Sequence, residues 1–224
     1  NAWVHFNDGA GGWKDRQAVR FDIDKTIDVR YMDQDLDGRQ DVLLLPMATD
    51  APVHMMLNRS LATPDTAVFF DVASEVQLVD GGLRADGAAI SDFNFDGDPD
   101  LFLGRQTVSN KFFYKNVRVT GQEASSNNWV GVRLVGTGVS NETCLGAQVK
   151  IQVGDFQQVQ VVDGGSGRGG QADNVLVWGL GSRTGLITAA TVWPNGETQL
   201  DTLTVNAVNA VADKTPVKRS EERR

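Results

Sequence analysis

With one cysteine in 224 residues, Cys144, the chain has no partner for an internal disulfide, so redox compartment cannot be read from pairing. Its setting predicts a small buried hydrophobe rather than a reactive thiol. Histidine is nearly as scarce. His5 and His54 lie at different offsets from the asparagines that end their strands, so they do not superpose as a ligand pair and read as half-buried strand residues. No apolar run approaches the ~20 residues that a bilayer-crossing helix needs, and Asn1-Ala2-Trp3 does not read as a signal peptide. Positive charge is also short, with 21 Lys and Arg against 29 Asp and Glu and a formal charge of −8. No basic stripe exists to neutralise phosphates, which argues against a nucleic-acid partner. Convincing 3.6-residue periodicity is missing throughout, and no Ser/His/Asp or Cys/His set stands out.

What the chain does have is clustered aspartate. In Asp92-Phe93-Asn94-Phe95-Asp96-Gly97-Asp98-Pro99-Asp100, oxygen-bearing side chains alternate and are closed by a glycine. Numbered as a twelve-residue calcium loop, Asp92, Asn94 and Asp96 take positions 1, 3 and 5, and Gly97 the sharp turn at 6. The Asp98 carbonyl falls at 7 and Asp100 at 9. A helix–loop–helix site would need a bidentate Glu at 12, but Leu103 stands there inside an apolar run, so the loop feeds a strand. The pattern occurs earlier as Asp33-Gln34-Asp35-Leu36-Asp37-Gly38-Arg39-Gln40-Asp41, with Asp33, Asp35, Asp37 and Asp41 as side-chain ligands and Arg39 offering its carbonyl. Two copies, each with Asp three residues beyond the glycine and each entering an apolar strand, form an internal repeat. Two Ca2+ sites are expected, and two divalent ions would halve the net charge. The bland alternative, aspartates capping their own turns, leaves unexplained why so many carboxylates should converge.

Short strands ending in asparagine recur in step with the loops: Trp3 to Asn7, Val53 to Asn58 and Lys111 to Asn116. Repeats of this length, built of short strands and Gly/Asp turns, point to propeller-type blades. Trp13 and Phe69-Phe70 read as aromatics packed between sheets. Residues 1–118 supply two blades and a fraction, too few to close a ring. Open faces and edges are therefore expected to be covered by other copies of the chain, in a ring or filament, or by the rest of a longer parent chain.

A polar connection at 120–128 marks a boundary, and residues 128–212 read as a second domain of six or seven alternating strands forming a small antiparallel sandwich or barrel. The expected fold class is all-β, partial propeller-like blades followed by that second domain. Gly164 to Gly170 lacks the Gly-Lys-Ser/Thr ending and following helix of a phosphate cradle and reads as a flexible hairpin or bulged loop. Trp193-Pro194-Asn195-Gly196-Glu197 reads as a tight turn. Residues 213–224, polar and mixed in charge, read as a disordered tail. The sequons at Asn58 and Asn141 carry little weight.

The segment from Phe69 through Asp92 to Leu103 resembles an FG-GAP/VCBS-type repeat, the blade unit of integrin-like β-propellers; the copy around Asp33 to Asp41 matches more weakly outside its loop. The resemblance implies that calcium pins the loop and stabilises the blade without catalysing anything. Residues 128–207 resemble the ASPIC/UnbV domain that follows VCBS-type repeats in cartilage acidic protein and its bacterial relatives. The matching pieces are Asn141 with Gly146-Ala147-Gln148-Val149, Gly164-Gly165-Ser166-Gly167 with Gln171, Trp178-Gly179-Leu180-Gly181 and Trp193-Pro194-Asn195-Gly196, with Trp178 a departure from the family pattern. The expected function is an extracellular, secreted, non-enzymatic calcium-binding module for adhesion, scaffolding or filament formation, with polysaccharide or matrix protein as further partners. The alternative is a carbohydrate-active hydrolase or lyase, or a polysaccharide-binding accessory domain of one.

Overall fold

A computed structural model describes residues 2–5, 10, 12, 19–21, 23, 25–48, 51–60, 68–78, 85–104, 111–117, 126–137, 140–165, 167–168, 170–171 and 173–214. Among these the chain is all-β, with several antiparallel sheets, no α-helix and no closed barrel. Trp13 and the Asn7-Asp8-Gly9 turn lie outside the described residues.

In the N-terminal half, β1 (Ala2–Val4) pairs with β2 (Val19–Phe21). A four-stranded sheet follows in sequence order, β3 (Thr26–Met32), β4 (Asp41–Pro46), β5 (His54–Asn58) and β6 (Phe69–Asp71). A three-stranded sheet comes next, β7 (Gly87–Ser91), β8 (Asp100–Gly104) and β9 (Phe112–Tyr114). The two sheets repeat in register: Met32 pairs with Asp41 as Ser91 does with Asp100, and Val42 with Met56 as Leu101 does with Tyr114. β4 is buried along its whole length, which is why it reads as an uninterrupted apolar run. One of its faces, with Leu43 and Leu45, joins Met55, Leu101 and Leu103 in a layer between the two sheets. Its other face, with Val42 and Leu44, packs on Phe21, Ile23 and Phe69. Phe69 therefore fills the space between sheets as expected, meeting Phe21 edge-on at 5.4 Å. Phe70 does not, because strand alternation turns it outward.

The C-terminal half is a sandwich of seven strands. β10 (Asn128–Val135) lies between β13 (Val175–Gly181) and β16 (Val208–Ala212). The facing sheet runs β12 (Phe156–Val161), β11 (Gln148–Val153), β14 (Ile187–Val192), β15 (Thr198–Leu203). The expected antiparallel arrangement needs one correction: β10 and β16 pair in parallel, since β16 enters beside β10 after the chain has traversed the other sheet. The core takes alternate residues from both sheets, among them Val130, Val132, Ile151, Trp178, Leu180 and Ile187. Cys144 is a free thiol buried in that core, as its sequence setting suggested. The Trp193 to Glu197 turn closes the β14–β15 hairpin through two 2.8 Å backbone bonds, with Gly196 at φ 88°.

Two loop readings change. Gly164 to Gly170 approaches the N-terminal sheets instead of standing free. A Cβ at Gly167 would overlap Asp28 and Arg30, and one at Gly170 would overlap the Ala88 carbonyl. The glycines let this backbone cover the buried Asp28–Arg30 pair (3.0 Å), and the Arg168 amide donates to Asp28 Oδ1 at 3.2 Å. Asp213, placed by composition at the start of the polar tail, is buried, accepts the Ser140 hydroxyl at 2.6 Å and donates its amide to the Val135 carbonyl.

Candidate metal centre

Both aspartate loops bridge the first two strands of their sheets, and both use one backbone scheme. Asp33 accepts the amides of Asp37 (3.0 Å) and Gly38 (2.9 Å), as Asp92 accepts those of Asp96 (3.1 Å) and Gly97 (2.8 Å). The Asp37 carboxylate takes the Arg39 amide at 2.8 Å, and Asp96 takes that of Asp98 at 3.0 Å. Position 4 is left-handed in each, Leu36 at φ 59° and Phe95 at φ 60°, and so is the glycine, Gly38 at 90° and Gly97 at 92°. These are the turns that fold an acidic segment back on itself; an L side chain at the glycine would be strained.

In the first loop, one oxygen each from Asp33, Asp35 and Asp37 can lie within 4.8 Å of the others. Asp35 is 6% exposed, and its Oδ1 is buried without a hydrogen-bond partner. Burial raises the Asp33 pKa to about 8, with the neighbouring charges of Asp37 and Asp41 adding to the effect. Burial also raises Asp37, as does the charge of Asp35. Carboxyls crowded in this way hold protons or a cation. Arg59 reaches into the cluster, donating from Nη1 to Asp35 Oδ2 at 2.6 Å and lying 3.0 Å from Asp37 Oδ2; the Arg39 guanidinium also meets Asp37 Oδ2.

Asp41 stands outside this cluster. It is fully buried, one oxygen accepts the Gln34 amide (2.8 Å) and the other the Asn58 amide (2.7 Å). Burial raises its pKa to about 7, against the lowering effect of those two amides. Asp100 does the same in the second loop, for Phe93 (3.2 Å) and Asn116 (2.8 Å), and both it and Asp92 are raised, by burial first. These bonds account for the recurrence of Asn58 and Asn116: Asn58 ends β5 and Asn116 stands two residues past β9, each giving its amide to the aspartate that opens the second strand of its sheet. In the second loop Asn94 stands in place of Asp35 and donates to Asp96 at 2.6 Å, while Lys115 lies 3.6 Å from Asp96.

Both loops are seated on the sandwich. Gly179 has no room for a Cβ, which would overlap Asp33 Oδ2 and the Leu36 backbone. The Gly181 amide donates to the Leu36 carbonyl at 2.8 Å, and Gln158 Nε2 reaches the Gly38 carbonyl at 2.5 Å. Asn127 and Asn116 bond the carbonyls of Asp35 and Gln34. The Trp129 ring lies flush against Gly97, and Arg133 stacks over Phe95 at 5.1 Å. In Gly179-Leu180-Gly181 the leucine points into the sandwich core while the glycines make way for the first loop. Sequence reading found the loops but missed their seat; the one available signal was the placement of glycines on alternate residues of a strand.

Residues 136–215 match the family model described as ASPIC and UnbV, so the C-terminal half carries an ASPIC/UnbV domain. No curated protein matches the chain.

Proposed function

We propose that this chain is an extracellular, secreted, non-enzymatic module in which two Ca2+ ions stiffen FG-GAP/VCBS-type blades and brace them against the ASPIC/UnbV domain. The observation that carries the reading is the first loop: three carboxylates drawn together, one with a buried, unpartnered oxygen. A hard divalent cation suits such all-oxygen surroundings, and the stability of its complex would offset the mutual repulsion of the carboxylates. Asp33, Asp35 and Asp37, with the Arg39 carbonyl, would hold one ion, and Asp92, Asn94 and Asp96, with the Asp98 carbonyl, the other. Asp41 and Asp100, whose oxygens take backbone amides, would fix the loops around them. The ions supply charge balance and rigidity; the reading assigns them no reaction.

Binding only to the folded state adds stability by mass action, about 2.7 kcal/mol at a hundredfold excess over Kd. Calcium should therefore raise the melting temperature of chelated protein, and calorimetric titration should count two ions per chain. Titration heats indistinguishable from buffer, with an unmoved thermal transition, would remove the calcium reading.

The same reading includes self-association. Internal repetition makes Phe102 the counterpart of Leu43 and Phe113 that of Met55, yet the leucine and methionine are 0% and 2% exposed beneath the next sheet while the phenylalanines are 41% and 53% exposed. Phe93 meets Phe113 edge-on at 4.7 Å on this face. Its occupant in the proposal is a second copy of the chain, because the matching face of the first sheet is covered by a sheet of this same kind. Polysaccharide or matrix partners would be bound by the resulting assembly.

A further inference from the structure

Arg59 departs from the repetition of the two loops. It sits one residue past Asn58, so its counterpart past Asn116 is Val117, an exposed apolar residue that brings no charge to the second loop. Near the second loop, Lys115 lies 3.6 Å from Asp96 with its side chain 46% exposed. Arg59 instead places one nitrogen on two carboxylates at once, Asp35 at 2.6 Å and Asp37 at 3.0 Å, members of the trio whose oxygens can meet within 4.8 Å. The oxygen of Asp35 that it does not reach is the buried, unpartnered one. A guanidinium there does part of what a divalent ion would do: it neutralises repulsion and supplies donors to carboxylate lone pairs.

We infer that Arg59 is a tethered competitor of the cation in the first loop, so that Ca2+ binding there is an exchange in which the guanidinium gives up Asp35 and Asp37. The inference rests on the calcium reading above and adds to it an affinity-determining residue. Calcium in the first loop must displace a cation held at high effective concentration by its own backbone. The displaced side chain has somewhere to go. Arg59 also lines a cleft of about 880 Å³ between the two sheets, shared with Glu75, Gln77, Tyr114 and Lys115, which leaves room for the side chain away from the loop.

The test uses the full chain, with Asp96→Asn introduced to weaken the second loop so that titration reads the first. Arg59→Gln, which removes the charge and keeps a polar side chain, is expected to tighten calcium binding at the first loop about tenfold. It is also expected to lower the melting temperature of chelated protein, since the carboxylates lose their counter-cation. Arg59→Lys should fall between the two. In protein with the natural Arg59, the NMR signal of its Nε–H should shift on calcium addition in step with loop occupancy, a readout independent of any variant's folding. Unchanged or weaker calcium affinity in Arg59→Gln, or an Arg59 signal indifferent to calcium that binds, would overturn the exchange and leave the calcium reading standing. No binding in the first loop of any variant, with far-UV spectra unchanged, would remove both.

Discussion

Asp41 shows how little exposure says about the work of an acidic residue. Both of its oxygens hold backbone amides from different ends of the structure, Gln34 at the loop entrance and Asn58 at the close of β5. Asp41→Ala leaves two part-buried amides unsatisfied, at ~1–3 kcal/mol each, so urea unfolding should show a loss of ~2–6 kcal/mol; a midpoint unchanged from that of the natural chain would refute this role of Asp41. Protonation provides a second test. Burial holds Asp33 and Asp41 at folded-state pKa values of about 8 and 7, against 3.8 for an ordinary aspartate, so the folded, chelated protein binds protons that the unfolded chain releases. The resulting stabilisation is fully present below the unfolded value and fades as pH rises through 7 to 8. Chelated protein should then melt higher at about pH 5.5 than at about pH 8, while the gain from calcium, whose ligands must be ionised, should grow over the same interval. Differential scanning calorimetry with and without chelator reads both slopes.

At the level of elements, the strands and the loops were legible and the joints between them were not. Alternation marked β11 and the Asp-x-Asp-x-Asp-Gly spacing marked the first loop because each is a local pattern with a local cause. The parallel β10–β16 pair, the burial of Asp213 and the docking of Gly164 to Gly170 depend on residues far apart in the chain, such as Arg168 and Asp28 at a separation of 140. Nothing within a short window reports them. Glycine came nearest to doing so, and it was read as flexibility where it means close approach. Gly179→Ala tests that reading: a methyl group there must displace Asp33 or the Leu36 backbone. Overpacking of this kind costs ~1–3 kcal/mol, and calcium affinity should fall in the first loop while the second is unaffected. Equal losses at both sites would show that the seat does not act locally.

For the molecule as a whole, two apolar cores lie on the opposite faces of β4 and a third fills the sandwich, and the aspartate loops sit where the N-terminal sheets meet the sandwich. The phenylalanine face on β8 and β9 takes in Phe93 of the second loop, so association through it should be felt at that calcium site. Multi-angle light scattering is expected to show mass rising with protein concentration in the low micromolar range, and Phe113→Glu to return the chain to a monomer that still binds calcium. A natural chain that stays monomeric throughout, or a Phe113→Glu chain that still associates, would discard this face as the contact.

The parallel strand β16 also bears on the order of events during synthesis. β10 leaves the ribosome early in the second half of the chain, but its neighbour on one side is the last strand described, so the sheet cannot be completed until translation has passed Ala212. Until then Trp129 and Gly179 cannot present a finished surface, and the aspartate loops, made long before, wait without a seat and with their carboxylates open to solvent. Contacts spanning so much of the chain make for slow folding. A cation available during that interval would meet the loops before the sandwich does, which makes the timing of calcium encounter, as well as its equilibrium, a determinant of how much chain reaches the folded state.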